Sequence, residues 1–124
     1  MRHFGSFIGG KHRINDSSTT VEVRNPYNNE LLATLYCATI EDIEDAIDNA
    51  HTVFESTMRT LSAHERSKIL RTAASLLEER AESFAQTLSQ EAGKPILEAR
   101  TEVARAVQVL LFASEGARNL NGEQ

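Results

Sequence analysis

The sequence predicts an α+β chain: a small antiparallel set of strands and turns over residues 1–38, then an antiparallel helical array over residues 39–122, in one segment. Three observations predict it. Residues 19–24 alternate apolar and polar side chains and are rich in β-branched residues, as half-buried strands are, and residues 31–36 form an apolar run that can place Leu31, Ala33 and Leu35 on one side of a further strand. At Thr39 the apolar spacing changes from period 2 to period 3.6. Two capping boxes and one Gly-x-Pro corner then punctuate the helical part.

Taken in order, Phe7-Ile8 is a short apolar pair before Gly9-Gly10, and residues 15–18 (Asn-Asp-Ser-Ser) form a polar turn. In residues 19–24, Val21 and Val23 share a face. Residues 25–29 (Asn-Pro-Tyr-Asn-Asn) read as a reversal, in which Asn29 can take a positive φ. Leu31, Ala33 and Leu35 then line one side of a third strand. Thr39 with Asp42 opens a helix whose apolar stripe is Ile40, Ile43, Ala46, Ile47, Ala50 and Phe54. Ser62 with Glu65 opens a second, with Ile69, Leu70, Ala73, Leu76 and Leu77 on its stripe. By periodicity it continues through Phe84, Ala85 and Leu88. Gly93 supplies a left-handed stop after Ala92, and Pro95 suits the first turn of the next helix. That last helix reads to about Leu120, with Gly122 as its stop. Ile96, Ala99, Val103, Ala106, Leu110, Ala113 and Ala117 line one face, and Val107, Val109, Leu111 and Phe112 widen it until it needs cover from more than one direction.

Composition narrows the function classes. A length of 124 residues, 40% hydrophobic and 25% charged content suit one globular unit. A formal net charge of −5 argues against nucleic acid as a partner, because no basic face offsets phosphate repulsion. Apolar runs are too short for a membrane span, and the first residues lack a secretory core. The single cysteine, Cys37, fits a reducing compartment, and a cytoplasmic location is expected. With no basic neighbour to make a thiolate, Cys37 reads as a small packed residue. Residues 5–12 approach a phosphate-binding loop, but His12 stands where a Ser or Thr should hold magnesium and no helix pattern follows. His3, His12, His51 and His64 lack the spacing of zinc ligands. Lys94, in the helix corner, reads as structural or surface.

The run Glu91-Ala92-Gly93-Lys94-Pro95, continued by Glu98-Ala99 and Glu102-Val103, resembles the N-terminal part of the NAD(P)-dependent aldehyde dehydrogenases. Phe7-Ile8-Gly9-Gly10 resembles the opening strand of that family, Asn25-Pro26 its first turn, and Glu65-Arg66 with Ile69-Leu70 its second helix. Near Asn29 the family usually carries glycine. The resemblance covers nearly the whole chain and implies the N-terminal segment of the cofactor-binding domain in an α/β enzyme. It also implies a bend near Arg80 and Ala81 that periodicity does not announce.

The activity implied for the full-length enzyme is oxidation of an aldehyde to a carboxylate with NAD or NADP. Thiolate attack is followed by hydride transfer and thioester hydrolysis. The family patterns for the nucleophile (Gly-Gln-x-Cys) and the base (Glu-Leu-Gly-Gly) do not occur in these residues, nor does a dinucleotide glycine fingerprint. No catalytic or cofactor-binding residue is therefore assigned, and the isolated chain is expected to be inactive and to bind no cofactor.

Two sites carry over from the family. Arg105 lies on a helix that borders the family's substrate entrance, where a guanidinium suits a short phosphorylated, carboxylated or hydroxylated aldehyde. The competing reading is a plain Glu102–Arg105 pair at i, i+3. A monovalent cation is implied on the carbonyls of Val23 and Arg24 and the carboxylate of Glu91, against the competing and favoured reading that Glu91 is an ordinary surface acid near a helix end. The expected partners are the remainder of the enzyme chain and further copies in a homo-oligomer. The alternative is a free-standing helical interaction module from a truncated gene, whose apolar last helix recruits a partner.

Overall fold

A computed structural model describes residues 2–16 and 19–119. It divides into two compact units, residues 1–60 and 61–124.

Among the described residues, the first unit holds five short strands and one α-helix that ends in a π-helical turn. Strands β1 (Arg2–Phe4), β4 (Thr20–Arg24) and β5 (Leu31–Tyr36) form a sheet in the order β1-β5-β4, while β2 (Ser6–Ile8) and β3 (Lys11–Arg13) form a hairpin. The β2–β3 and β4–β5 pairs are antiparallel, as the sequence predicts. The β1–β5 pair is parallel, with His3 opposite Thr34, and was not expected. A three-residue strand is too short to show alternation, and strands this far apart in sequence are free of the hairpin constraint that enforces antiparallel pairing. Gly9 and Gly10 turn the hairpin at φ 58° and 78°, so the stretch that approaches a phosphate loop is hairpin instead.

The reversal between β4 and β5 forms as expected. Asn29 sits at φ 60°, Asn25 N–H donates to the Glu30 carbonyl at 2.9 Å, and Asn29 N–H donates to the Asn25 carbonyl at 2.8 Å. The register slips between Val23 and Arg24. On β5, Ala33 is buried and Leu31 half-buried, but Leu35 is exposed.

Helix α1 (Ile40–Val53) begins with the predicted reciprocal cap: Asp42 N–H donates to Thr39 Oγ1 and Thr39 N–H donates to Asp42 Oδ2, each at 3.1 Å. Arg13 donates to Asp45 at 2.6 Å and ties β3 to α1. The apolar stripe is not a core within this unit. No α1 residue is buried, and Ile40 is 73% exposed. The helix widens into a π-helical turn at Phe54–Met58, where Arg59 N–H reaches back to the Phe54 carbonyl at 2.9 Å.

The second unit is three helices: α2 (Ala63–Glu79), α3 (Ala81–Ala92) and α4 (Ile96–Gly116). Ser62 and Glu65 cap α2 reciprocally, as predicted. The bend implied by resemblance is present: Arg80, at φ −109° and ψ 14°, separates α2 from α3. Helix α4 packs along both α2 and α3, which covers part of its broad apolar surface and leaves Leu97, Val109 and Phe112 exposed.

The buried line on α4 is Ala99, Val103, Val107 and Ser114, continued by Ala117 at its C-cap, so Ala106 and Ala113 fall outside it while Val107 lies inside. Ala85, Ala99 and Val103 form a core with Leu77, Ala81, Leu88 and Ile96. On α2 the buried residues are Ser67 and Ala74; Ile69 and Leu76 are exposed. Small residues let helix backbones approach, and the two buried serines are both hydrogen-bonded, one locally and one across the helices. Ser114 Oγ donates to the Leu111 carbonyl at 2.8 Å, and Ser67 Oγ accepts from Arg118 Nε at 3.1 Å. Helix α4 stops at Gly116, short of Leu120, because its last turn tightens: Arg118 N–H bonds the Glu115 carbonyl at 3.1 Å and Asn119 N–H the Gly116 carbonyl at 3.0 Å. Leu120 and Gly122 lie outside the described residues.

Candidate functional site

The site grows from the corner between α3 and α4. Gly93 ends α3 in the left-handed region at φ 67°, and its N–H donates to the Ser89 carbonyl at 3.0 Å. Ser89 Oγ donates to the Lys94 carbonyl at 2.8 Å, which fixes the corner from the side-chain direction as well. Pro95 stands at the N-cap, and its carbonyl accepts from Glu98 N–H at 3.0 Å and Ala99 N–H at 3.1 Å. A chain held in this way must project Lys94 along the first turns of α4.

Lys94, Leu97, Glu98, Thr101, Glu102 and Arg105 line an open depression of about 490 Å³. Residues 98, 102 and 105 stand at i, i+4 and i+7, so one helix face carries them. Lys94 Nζ pairs with Glu102 Oε2, and the lysine side chain is 30% exposed against 55% for the glutamate. Thr101 Oγ1 is turned back to the Leu97 carbonyl at 3.0 Å and offers no activated hydroxyl. Arg105 makes no hydrogen bond or ion pair among the described residues. The Glu102–Arg105 pair does not form, and the Glu102 carboxylate is on Lys94 instead. An unengaged guanidinium beside a neutralised acid can bind an anion; no nucleophile or base is assembled around it.

A separate ion pair braces the same helix. Arg100 Nε and Nη2 each donate to Glu82 at 2.9 Å, tying α4 to α3 in a two-pronged contact. The hydrogen bond from Arg100 is the main cause holding the Glu82 carboxyl below its ordinary range.

The model of the aldehyde dehydrogenase family matches residues 13–124. The chain belongs to that family. The 3-sulfolactaldehyde dehydrogenase of Priestia aryabhattai is 33% identical over 123 residues, covering 99% of this chain and 25% of the relative. The mitochondrial succinate-semialdehyde dehydrogenase of Oryza sativa subsp. japonica is 36% identical over 116 residues, covering 94% of this chain and 22% of the relative. Among solved structures, aldehyde dehydrogenase 21 from Physcomitrella patens, in complex with the reaction product succinate, matches at a TM-score of 0.90 and 34% identity, covering 98% of this chain and 25% of that one. The chain thus spans about a quarter of the length of the relatives it matches.

Other predicted positions in this aldehyde dehydrogenase segment are placed as follows. Val23 and Arg24 flank the register slip in β4, and Glu91 is an exposed acid near the end of α3 with no hydrogen bond or ion pair among the described residues. Cys37 is exposed, which corrects its reading as packed. It lies just past β5, where its N–H donates to the Thr19 carbonyl at 2.8 Å while the side chain is left outside. No three His, Cys, Asp or Glu side chains converge for a metal among the described residues. Among them no helix is long and apolar enough to cross a membrane. The glycines at positive φ sit in a hairpin and a helix stop, not between a strand and a helix, so these residues do not fit a pyrophosphate cradle. Ser89, Ser67 and Ser114 were missed because an apolar-period reading passes over polar residues. The Ser-x-x-x-x-Lys spacing around the Gly93 stop was the available signal for Ser89.

Proposed function

We propose that this chain is the N-terminal part of an NAD(P)-dependent aldehyde dehydrogenase that oxidises a short, anionic aldehyde to a carboxylate. The observation that carries the substrate class is Arg105, a guanidinium with no hydrogen bond or ion pair among the described residues, in a depression beside a neutralised glutamate. A guanidinium presents a planar fork of donors that can grip a carboxylate, sulfonate or phosphate through two bonds. Sulfolactaldehyde and succinate semialdehyde, named for two relatives, both carry such an anion. A phosphorylated short aldehyde satisfies the same chemistry.

Within the whole enzyme this segment is structural and binds substrate at its surface. The nucleophile, base and dinucleotide cradle must come from residues beyond it, since none of their patterns occurs among these 124. Exposed Leu97, Val109 and Phe112 on α4 are covered, in this reading, by the rest of the enzyme and by further copies.

The test is turnover by the full-length enzyme of succinate semialdehyde against propanal, followed as NAD(P)H formation. The reading requires a higher kcat/KM for the anionic aldehyde. Equal values, or a preference for propanal, reject the substrate class. Absence of aldehyde-dependent NAD(P)H formation with every short aldehyde rejects the activity.

A further inference from the structure

Glu102 stands three residues before Arg105 on α4, the spacing at which a carboxylate and a guanidinium on a helix normally pair. They do not pair here. The carboxylate is turned the other way, onto Lys94 Nζ, which reaches it from the corner eight residues back. That lysine has an anchored base: Gly93 is left-handed immediately before it, and its own carbonyl accepts from Ser89 Oγ at 2.8 Å. Lys94, Glu102 and Arg105 line the same depression, together with Glu98, whose carboxylate has no ion pair among the described residues. The corner therefore does more than reverse the chain.

We propose that Lys94 is a positioning residue for anion binding: it holds Glu102 away from Arg105 and so keeps the guanidinium open for the substrate's anionic group. The inference rests on the proposed substrate role of Arg105. Without Lys94, Glu102 turns to Arg105, occupies donors the substrate would use, and places an unneutralised charge beside the incoming anion. The competing pair is an exposed i, i+3 contact, so the effect is modest, about twofold in affinity. Lys94 touches no reacting atom, and kcat stays unchanged.

The experiment is a set of variants in the full-length enzyme, read in two ways. Kinetically, Lys94→Gln raises the KM for succinate semialdehyde about twofold with kcat unchanged, and Lys94→Arg restores it. Glu102→Gln shifts that KM little while Lys94 is present, and lowers it about twofold in the Lys94→Gln background. Equal shifts from Glu102→Gln in both backgrounds overturn the proposal, because they mean that the charges act independently through space. The second reading needs no substrate. In urea denaturation, a double-mutant cycle between Glu102→Gln and Arg105→Gln shows no coupling with Lys94 in place and a favourable coupling without it. Coupling that is already present beside Lys94 overturns the proposal. Should Lys94→Gln fail to fold, Lys94→Met serves as the removal. If Arg105→Ala hits anionic and neutral aldehydes alike, the substrate reading has failed, while the denaturation cycle still decides whether Lys94 restrains Glu102.

Discussion

Replacing Gly93 by alanine should unfold the second unit more easily, by an amount the backbone conformation sets. Gly93 sits at φ 67°, where the Cβ of an L-residue crowds the following carbonyl at a cost of about 1–2 kcal/mol. Alanine also narrows the unfolded ensemble, which offsets about 0.4–1 kcal/mol of that loss. The net expectation is a destabilisation of about 1 kcal/mol, or about 4–8 °C in Tm for a unit of 60–100 residues. The chain has no tryptophan, so helix loss is followed by far-ultraviolet circular dichroism in a urea titration. D-Alanine, introduced by ligation, is the control. Its Cβ points away from the clash and its backbone prefers positive φ, so it should stabilise where L-alanine destabilises. Equal losses from the two enantiomers would refute the reasoning, since the fault would then be space and not φ. No change with L-alanine would refute it as well.

Three further outcomes are expected. Glu82 has a folded pKa below its unfolded value, so its pairing with Arg100 contributes fully above the unfolded carboxylate pKa of about 4.3 and is lost as pH falls through the folded one. The stability gap between wild type and Arg100→Gln should therefore close on acidification, and a gap independent of pH contradicts this. The 124-residue chain should self-associate through Val109 and Phe112, 64% and 71% exposed, so light scattering should report a dimer or larger that Phe112→Glu reduces. A clean monomer at high concentration, or an unchanged mass in the variant, counts against it. Sodium should raise the Tm of the full-length enzyme and not that of its Glu91→Gln variant, and a sodium-independent Tm in both removes the cation.

Much of this was legible in the residues because it is local chemistry. The Thr39 and Ser62 caps, the Gly93 stop and the positive φ of Asn29 each depend on a few adjacent residues, and each forms as the sequence predicts. What failed depends on distant partners. The β1–β5 pairing joins segments that lie far apart, and no local pattern in Arg2–Phe4 announces it. On α4, apolar spacing puts Ala106 and Ala113 on the main face and Val107 on its flank, whereas the buried line runs through Val107 and Ser114, which spacing of apolar residues alone does not select. The exposed stripe of α1 was correctly found as apolar, yet amphipathicity says only that a face wants cover, not which element provides it. At the candidate site, Arg105 was legible as an oddity among alanines. That Lys94 would draw Glu102 away from it was not, because the pairing crosses the corner.

The most direct measurement is kcat/KM of full-length Arg105→Ala on succinate semialdehyde and on propanal, side by side with wild type. Charge-assisted hydrogen bonds contribute about 1.5–3 kcal/mol, so the anionic aldehyde should lose about 10- to 100-fold, carried mainly by KM. Propanal should change less than about twofold, because it offers the guanidinium nothing to grip. Equal losses on the two substrates would contradict the claim and leave Arg105 a residue that serves the fold.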